Sequence, residues 1–238
     1  GREPQYDGYV ESFTENWKKL ERYDNNAPKT MNAHLHVLEA YTLLYQCWKD
    51  NGLKKRLEFC VDLFMNRIYD PSRRHFNLFF DNEWNSLVEM DSYGHDVETG
   101  WLLCEAARTL ENQDLIEQTN QLALDVTEAC LAEGMSDKGY MIYEKKGDRK
   151  TRHASWWGQV ETMIACVNAW QISGDEAWLQ SADTVWTFVK DHMVDREYGE
   201  WYSDCFDGEP KKEAPKVSMW RCPYHTVRLG VEMYNRLK

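Results

Sequence analysis

The sequence predicts an all-α fold built from paired helices, and three observations lead to that prediction. Apolar residues recur at three- and four-residue spacing in six long runs. These runs are grouped three times as helix, tight break, helix, and the stretches between the groups are rich in aromatic and turn residues. Because repeated helical hairpins stack into a solenoid or close into a ring, we expect one of these two architectures.

Each predicted hairpin consists of two helical runs separated by residues with turn chemistry. The helical runs are residues 31–50 and 53–70, 94–110 and 115–133, and 155–172 and 177–194. The breaks fall at residues 51–52, 112–114 and 173–175. A seventh helix is predicted from Pro223 to residue 238, because proline is favoured in the first turn of a helix.

The connectors between the hairpins are predicted to form short β-hairpins at one end of the helices. They comprise residues 75–90, 139–148 and 198–210. No Ser/Gly-rich linker divides the chain, and one core is usual below roughly 250–300 residues. We therefore expect residues 1–238 to form a single domain.

The composition excludes several functional classes. Hydrophobic residues make up 42% of the chain, which is too many for a disordered protein. No stretch approaches the roughly 20 apolar residues needed to span a bilayer, and the first ten residues lack the apolar core of a signal peptide. With 28 basic and 40 acidic residues, the formal net charge is −12. We therefore expect neither nucleic acid nor a membrane as a partner.

The cysteine pattern indicates a reducing compartment. Seven cysteines are scattered along the chain without a Cys-x-x-Cys pair. Four of them, at positions 60, 104, 130 and 166, lie inside apolar helical patterns. Because this usage is typical of reduced, buried thiols, we expect a cytoplasmic protein.

Aromatic residues indicate a carbohydrate ligand. The chain contains 11 Trp and 13 Tyr, more than a core of this size requires. Both side chains join a flat apolar face to a polar edge, which matches the apolar face and polar rim of a sugar. We expect most of these rings to lie in the core and two or three to line a site.

Chemically capable residues recur at equivalent places in the repeat. Glu39, Glu98 and Glu161 correspond to one another, and His36 and His95 each precede their glutamate by three residues. A ring of helices would bring the first turns of its inner helices to one mouth. The residues at such first turns are Asn32, His36, His95, Glu98, Trp156, Trp157, Tyr224 and His225.

Five segments stand out as motifs: MNAHLHVLEAY, SYGHDVETGWLLCEAA, WWGQVE followed by NAWQISGD, GEWYS and WRCPYHTVR. They closely resemble motifs of the N-acylglucosamine 2-epimerase superfamily, and within it the cellobiose 2-epimerase branch. The segments occur in the family's order and span nearly the whole chain.

The resemblance implies a barrel of the (α/α)6 type, of which this chain supplies about seven helices. The family's earlier helices, which carry an arginine that contacts substrate oxygens, have no counterpart here. We therefore expect an incomplete barrel that either self-associates through its open edges or needs the absent helices to be stable. We also expect it to be inactive or nearly so on its own.

The resemblance also implies inversion of C2 in the reducing-end sugar of a β-linked disaccharide such as cellobiose. A proton is removed from one face and returned to the other through a cis-enediol, and histidine suits both steps. By resemblance, His95 and His225 are the proton-transfer pair, and His36 helps to open the sugar ring. The implied substrate-binding residues are Asn32, Asp96, Glu98, Trp156, Trp157, Glu161, Trp220 and Arg228. Trp157 and Trp220 would sandwich sugar rings, and the polar residues either contact substrate or orient its neighbours.

Other functions compete with this interpretation. Many (α/α) barrels hydrolyse glycosides with two carboxylates, for which Asp96, Glu98 and Glu161 are candidates. A half-barrel that only binds sugar or a protein is a third alternative. The His-x-x-Glu order is the reverse of the usual di-metal motif, and neither HExxH nor a nucleotide-binding glycine loop occurs, so we expect no metal and no cofactor.

Overall fold

A computed structural model of the chain describes residues 1–20, 22–23 and 26–238. These residues form two compact units. The first unit contains Gly1–Asp91 and Leu102–Thr119, and the second contains Ser92–Trp101 and Asn120–Lys238. Each unit consists mainly of helices with short strands between them, which agrees with the predicted all-α class.

The first unit is built on a helical hairpin. Helix α1 spans Met31–Cys47 and helix α2 spans Asn51–Leu63, after which the chain continues as a π-helical segment over Phe64–Ile68. The two helices pack together, and the apolar residues of their facing sides are fully buried. The buried residues include Leu35 and Leu38 on α1.

The first break lies three residues earlier than predicted. Residues 48–50 separate the helices, whereas Asn51 and Gly52 form the first turn of α2. The reason is the N-cap, because Asp50 accepts the backbone N–H of Leu53 at 2.9 Å. An Asn-Gly pair directly after a capping aspartate therefore starts a helix here instead of forming a turn.

Short antiparallel strands connect the elements of the first unit. Strand β1 (Lys29–Thr30) pairs with β4 (Phe79–Phe80), and β2 (Tyr69–Asp70) pairs with β3 (His75–Phe76). Strand β5 covers Met90–Asp91. Strands do form in the 75–90 connector, as predicted. However, β3 and β4 pair with strands outside the connector instead of with each other.

The second predicted hairpin is present but passes through both units. Helix α3 spans Tyr93–Leu110 and α4 spans Gln113–Gly134, so the unit boundaries fall within both helices. The break lies at Glu111 and Asn112, with Glu111 in the left-handed region at a φ of 56°. The side chain of Asn112 accepts the N–H of Leu115 at 3.2 Å, which starts α4 earlier than predicted.

The second unit is organised around helix α5, which spans Trp156–Ser173. Helices α6 (Ala177–His192) and α7 (Tyr224–Arg236) both pack against it, and every residue from position 157 to 169 is buried. A helix that is buried all round belongs to a core. Among the described residues, no helix has both the length and the apolar character needed to span a membrane.

The ends of α5 follow the predicted turn chemistry. Ser155 accepts the N–H of Gly158 at 3.3 Å and caps the N-terminus. Gly174 adopts a φ of 75° and donates its N–H to Trp170 O at 2.7 Å, which ends the helix. The predicted break at residues 173–175 is therefore confirmed.

Short strands border the N-terminal end of α5. Strands β6 (Glu144–Lys146) and β7 (Arg149–Thr151) form the hairpin predicted in the second connector. Strands β8 (His153–Ser155), β9 (Asp204–Phe206) and β10 (Glu209–Pro210) form a sheet in the order β10-β9-β8. The β9–β10 pair is the hairpin predicted in the third connector.

The cysteines agree in part with their predicted burial. Five of the seven are buried, and Cys47 and Cys222 are exposed. Burial raises the pKa of the Cys60 and Cys166 thiols to about 12, so both stay protonated at neutral pH.

Candidate active site

Within the second unit, the first turns of three helices bring candidate site residues together. His95 lies in the first turn of α3, Trp156 and Trp157 begin α5, and His225 is the second residue of α7. Two of the three histidines predicted to be catalytic therefore contact the same tryptophan.

The imidazoles of His95 and His225 both pack against the indole of Trp157. Its ring centroid lies 4.5 Å from that of His95 and 5.8 Å from that of His225. The indole is only 9% exposed, and Tyr143 packs edge-on against it at 6.1 Å. Both imidazoles therefore pack against one and the same ring.

A glycine permits this close packing. A Cβ atom at Gly94 would lie 2.6 Å from Cζ3 and 2.7 Å from Cη2 of Trp157, well inside van der Waals contact. The backbone of α3 therefore approaches the indole more closely than any other residue at position 94 would allow.

A buried carboxylate orients His225. Its Nδ1 atom lies 2.6 Å from Oε1 of Glu161, whose side chain is fully buried. A carboxylate only accepts hydrogen bonds, so Nδ1 of His225 donates and carries the proton. In the neutral imidazole, Nε2 is then the nitrogen that carries no proton.

Glu161 is also the centre of a larger buried network. Its Oε2 accepts the indole N–H of Trp101 at 2.9 Å, and its Oε1 accepts from Nη1 of Arg228 at 3.2 Å. The same Nη1 donates to Oε1 of Glu98 at 2.6 Å, and the guanidinium lies 4.2 Å from the ring centroid of Tyr224. Two carboxylates thus face one guanidinium in this buried network.

His95 has a different partner. Its Nδ1 atom is hydrogen-bonded to the hydroxyl of Ser92 at 2.7 Å, and the imidazole is half-buried. A neutral hydroxyl stabilises an imidazolium less than a carboxylate does. The two imidazoles that contact Trp157 therefore differ in the hydrogen-bond partner of Nδ1.

The acidic groups of this network also resemble a metal-ligand set. Ligand atoms of Glu98, Glu161 and His225 all lie within 4.8 Å of one another. However, Nη1 of Arg228 donates to both carboxylates. The guanidinium of Arg228 already neutralises these carboxylates, so the three ligand atoms do not fit a metal ion.

The other predicted site residues occupy varied positions. Trp156 packs edge-on against His225 with centroids 6.3 Å apart, whereas Trp220 is 82% exposed in the segment that precedes α7. Asp96 is completely buried on α3. Asn32 and His36 lie on α1 of the first unit, so their membership of the same site stays a prediction.

His36 itself has an acidic neighbour. Its Nδ1 atom lies 3.3 Å from Oε2 of Glu39, and 47% of its side chain is exposed. The predicted three-residue relationship between this histidine and its glutamate thus gives a direct contact. On α3, Oε1 of Glu98 accepts a hydrogen bond from Nη1 of Arg228 at 2.6 Å.

Several residues of the site are missed by sequence reasoning. They are Ser92, Gly94, Trp101 and Tyr143. Helical spacing gives a signal for one of them, since Trp101 follows Glu98 by three residues and so shares its face of α3.

Comparison with known proteins identifies the relatives of this fold and site. The family model described as N-acylglucosamine 2-epimerase matches residues 1–228. Cellobiose 2-epimerase from Bacteroides fragilis is 40% identical over 236 residues, covering 95% of this chain and 59% of that protein. Cellobiose 2-epimerase from Dictyoglomus turgidum is 34% identical, covering 97% of this chain and 60% of that protein.

A solved structure gives the same result. The structure of cellobiose 2-epimerase from Bacillus thermoamylovorans matches with a TM-score of 0.94 and 35% identity, covering 99% of this chain and 62% of that one. Such epimerases have the (α/α)-barrel type of fold, which confirms the predicted class of helical hairpins. This chain spans about three fifths of the length of the relatives it matches.

Proposed function

This chain belongs to the N-acylglucosamine 2-epimerase family, and we propose that it carries the proton-transfer residues of a carbohydrate 2-epimerase. The observation that supports this most strongly is the pair of imidazoles, His95 and His225, packed against the single ring of Trp157. The proposed substrate is a β-linked disaccharide of the cellobiose type, because the relatives described above are named cellobiose 2-epimerases.

The reaction requires two proton-transfer groups within reach of one carbon atom. After the sugar ring opens, the proton at C2 lies next to an aldehyde and is acidic enough for a general base to remove. The product is a cis-enediol, and reprotonation on the opposite face inverts C2. Imidazoles suit both steps because their pKa normally lies near neutrality.

The contacts of His225 favour it as the stronger base. Its Nε2 atom is the unprotonated nitrogen of the neutral ring and accepts the proton from C2, and the resulting imidazolium is stabilised by Glu161. His95 then delivers a proton to the other face of C2. In the reverse direction the two histidines exchange these roles, as a reversible epimerisation requires.

We assign the remaining residues to binding and positioning. Trp220 presents an exposed indole on which a sugar ring can stack, whereas Trp157 is buried against both imidazoles. Trp156 packs on His225. His36 and Asn32 are proposed to assist ring opening and to hold the open-chain oxygens.

Four of the predicted binding residues lie below the surface. Glu98, Glu161 and Arg228 form one hydrogen-bonded network, and Asp96 is completely buried on α3. We propose that the three network residues act on substrate indirectly, by holding His225. The same burial argues against glycoside hydrolysis, since that reaction needs two carboxylates in contact with the scissile bond.

The experiment that tests the proposal follows cellobiose in deuterated water by proton NMR. An epimerase replaces the C2 proton of the reducing-end glucose by deuterium and forms the mannose epimer, while the glycosidic bond stays intact. Release of free glucose would instead indicate a hydrolase. Binding without any exchange over long incubations would indicate a sugar-binding protein and contradict the proposal.

A further inference from the structure

Arg221 is a buried cation with an unused donor. Its side chain is only 3% exposed, and Nη2 donates to the backbone carbonyl of Trp201. Its Nη1 atom is also buried and has no hydrogen-bond partner among the described residues. Among the described residues, no carboxylate oxygen lies within 4.0 Å of a nitrogen of this guanidinium.

A buried arginine without a counter-ion is costly. Arginine stays charged under ordinary conditions, so its desolvation has to be balanced by an opposite charge or by further hydrogen bonds. Burial lowers the pKa of Arg221, and Glu200 and Asp204 oppose this only at longer range. The side chain therefore attracts an anionic acceptor.

The neighbouring side chain of Trp156 carries a second buried donor without a partner among the described residues. The guanidinium carbon of Arg221 is 5.0 Å from the ring centroid of Trp156, and the indole Nε1 atom is buried without a partner among the described residues. The backbone of Trp156 is fixed by its N–H bond to Ser203 O at 2.9 Å. Two buried N–H donors and one positive charge thus belong to neighbouring side chains.

We propose that Arg221 and Trp156 form a binding site for a small monovalent anion of the halide type. Nη1 of Arg221 and Nε1 of Trp156 both donate to the anion, whose charge neutralises the guanidinium. A water molecule also accepts hydrogen bonds, but it leaves the buried charge uncompensated. This inference rests on the two side chains alone and is independent of the proposed enzymatic function.

The direct test uses bromide as the probe. Crystals of the unsubstituted chain are grown with sodium bromide, and anomalous scattering is measured at the bromine absorption edge. The expected result is an anomalous peak within hydrogen-bond distance of both Nη1 of Arg221 and Nε1 of Trp156. Density without an anomalous signal at that position identifies water and overturns the proposal.

A solution measurement tests the same site without crystals. At constant ionic strength, replacing methanesulfonate by bromide or chloride is expected to raise the Tm of the unsubstituted chain. In Arg221→Gln and in Trp156→Phe, the halide concentration that gives half of this rise should increase at least tenfold. Trp156→Phe retains the arginine, so it still tests the halide site if Arg221→Gln fails to fold.

Matched variants provide the controls. Arg196→Gln and Trp186→Phe make the same chemical changes at exposed positions. Both should keep the halide response of the unsubstituted chain. An equal response in all variants, or none in the unsubstituted chain, overturns the proposal.

Discussion

Nδ1 of His225 and Oε1 of Glu161 lie 2.6 Å apart although the two residues are 64 positions apart in the sequence. The carboxylate is buried and accepts only, so it selects the tautomer of the neutral imidazole in which Nδ1 carries the proton and Nε2 does not. The packing of α7 on α5 creates this contact. We infer that Glu161 is a positioning residue that acts through His225.

The first prediction concerns this carboxylate. Glu161→Gln removes the charge that supports the His225 imidazolium, while it preserves the size of the side chain. We expect the rate of C2 proton exchange to fall by roughly 10²- to 10⁴-fold, since the corresponding change in a Ser-His-Asp triad costs about 10⁴. The pH dependence of exchange should also move to lower pH, which a purely structural defect would not cause.

Glu232→Gln is the matched control for this prediction. It removes another carboxylate that pairs with an arginine, because Glu232 lies 2.7 Å from Arg236 on α7. This variant should keep the rate and the pH profile of the unsubstituted chain. An unchanged pH profile in Glu161→Gln would show that the carboxylate does not act through His225.

The second prediction concerns the contact between α3 and Trp157. Gly94→Ala places a methyl group where the indole lies, so either the ring or the helix has to move. Overpacking of this kind typically costs about 1–3 kcal/mol of unfolding free energy, which denaturant unfolding measures. Proton exchange should fall as well, because both imidazoles contact the displaced ring.

Gly230→Ala provides the opposite expectation on another helix. A Cβ atom at Gly230 on α7 would have no atom within 4 Å, so only helix propensity changes. Stability should rise by about 0.5–1 kcal/mol. If both alanine variants stabilise the chain, the proposed clash with Trp157 is wrong.

The third prediction concerns the acid sensitivity of the first unit. His34 is completely buried, accepts the N–H of Tyr9 at Nε2 over 2.8 Å, and pairs Nδ1 with Thr30 O at 2.7 Å. Burial lowers its pKa from 6.5 to about 4. The unfolded chain therefore binds this proton more readily, and stability falls as the pH drops from about 6.5 towards 4.

The expected loss from this histidine is about 2 kcal/mol between pH 7 and pH 5. Thermal unfolding across that range measures it, and His34→Gln removes the titrating group. The variant should show a flatter pH dependence even if it is less stable at pH 7. His192→Gln is the control, and an identical slope in all three proteins would contradict the assignment to His34.

The fourth prediction concerns the outer face of α7. Val227, Val231 and Tyr234 are 59%, 50% and 71% exposed, and they lie on one side of the helix. Exposed apolar patches of this kind usually mark association surfaces. We predict that the chain self-associates and that Val231→Lys lowers its mass in light scattering.

Asn235→Lys adds the same charge to α7 at an exposed polar position and should leave the mass unchanged. A monomer at all concentrations, or an unchanged mass in Val231→Lys, would show that this face is not an association surface.

The helical hairpins could be predicted because their signals are local. Apolar spacing marks each helix, and Gly174 ends α5 in the left-handed conformation that glycine favours. Turn chemistry predicted a break at Asn51-Gly52, and this prediction was wrong. These two residues begin α2 because the side chain of Asp50 caps the helix. A turn dipeptide does not reveal which of its neighbours will cap a helix.

The site could be predicted only in part. Motifs and helix positions identified His95, Trp157 and His225, and the structure brings these three together. The contact of Glu161 with His225 depends on how two helices distant in sequence pack, and spacing along the chain carries no such information. The burial of Asp96 and the exposure of Trp220 depend in the same way on tertiary packing.

The central claim is that His95 and His225 transfer the C2 proton, and one measurement tests it most directly. Cellobiose is incubated in deuterated water with the unsubstituted chain, with His95→Ala, with His225→Ala and with the control His192→Ala, and loss of the C2 proton signal is followed by NMR. Long incubations register even slow exchange. The account predicts exchange with the unsubstituted chain and the control, and a loss of at least about 100-fold in each of the other two variants. Exchange at the unsubstituted rate in both His95→Ala and His225→Ala would contradict it.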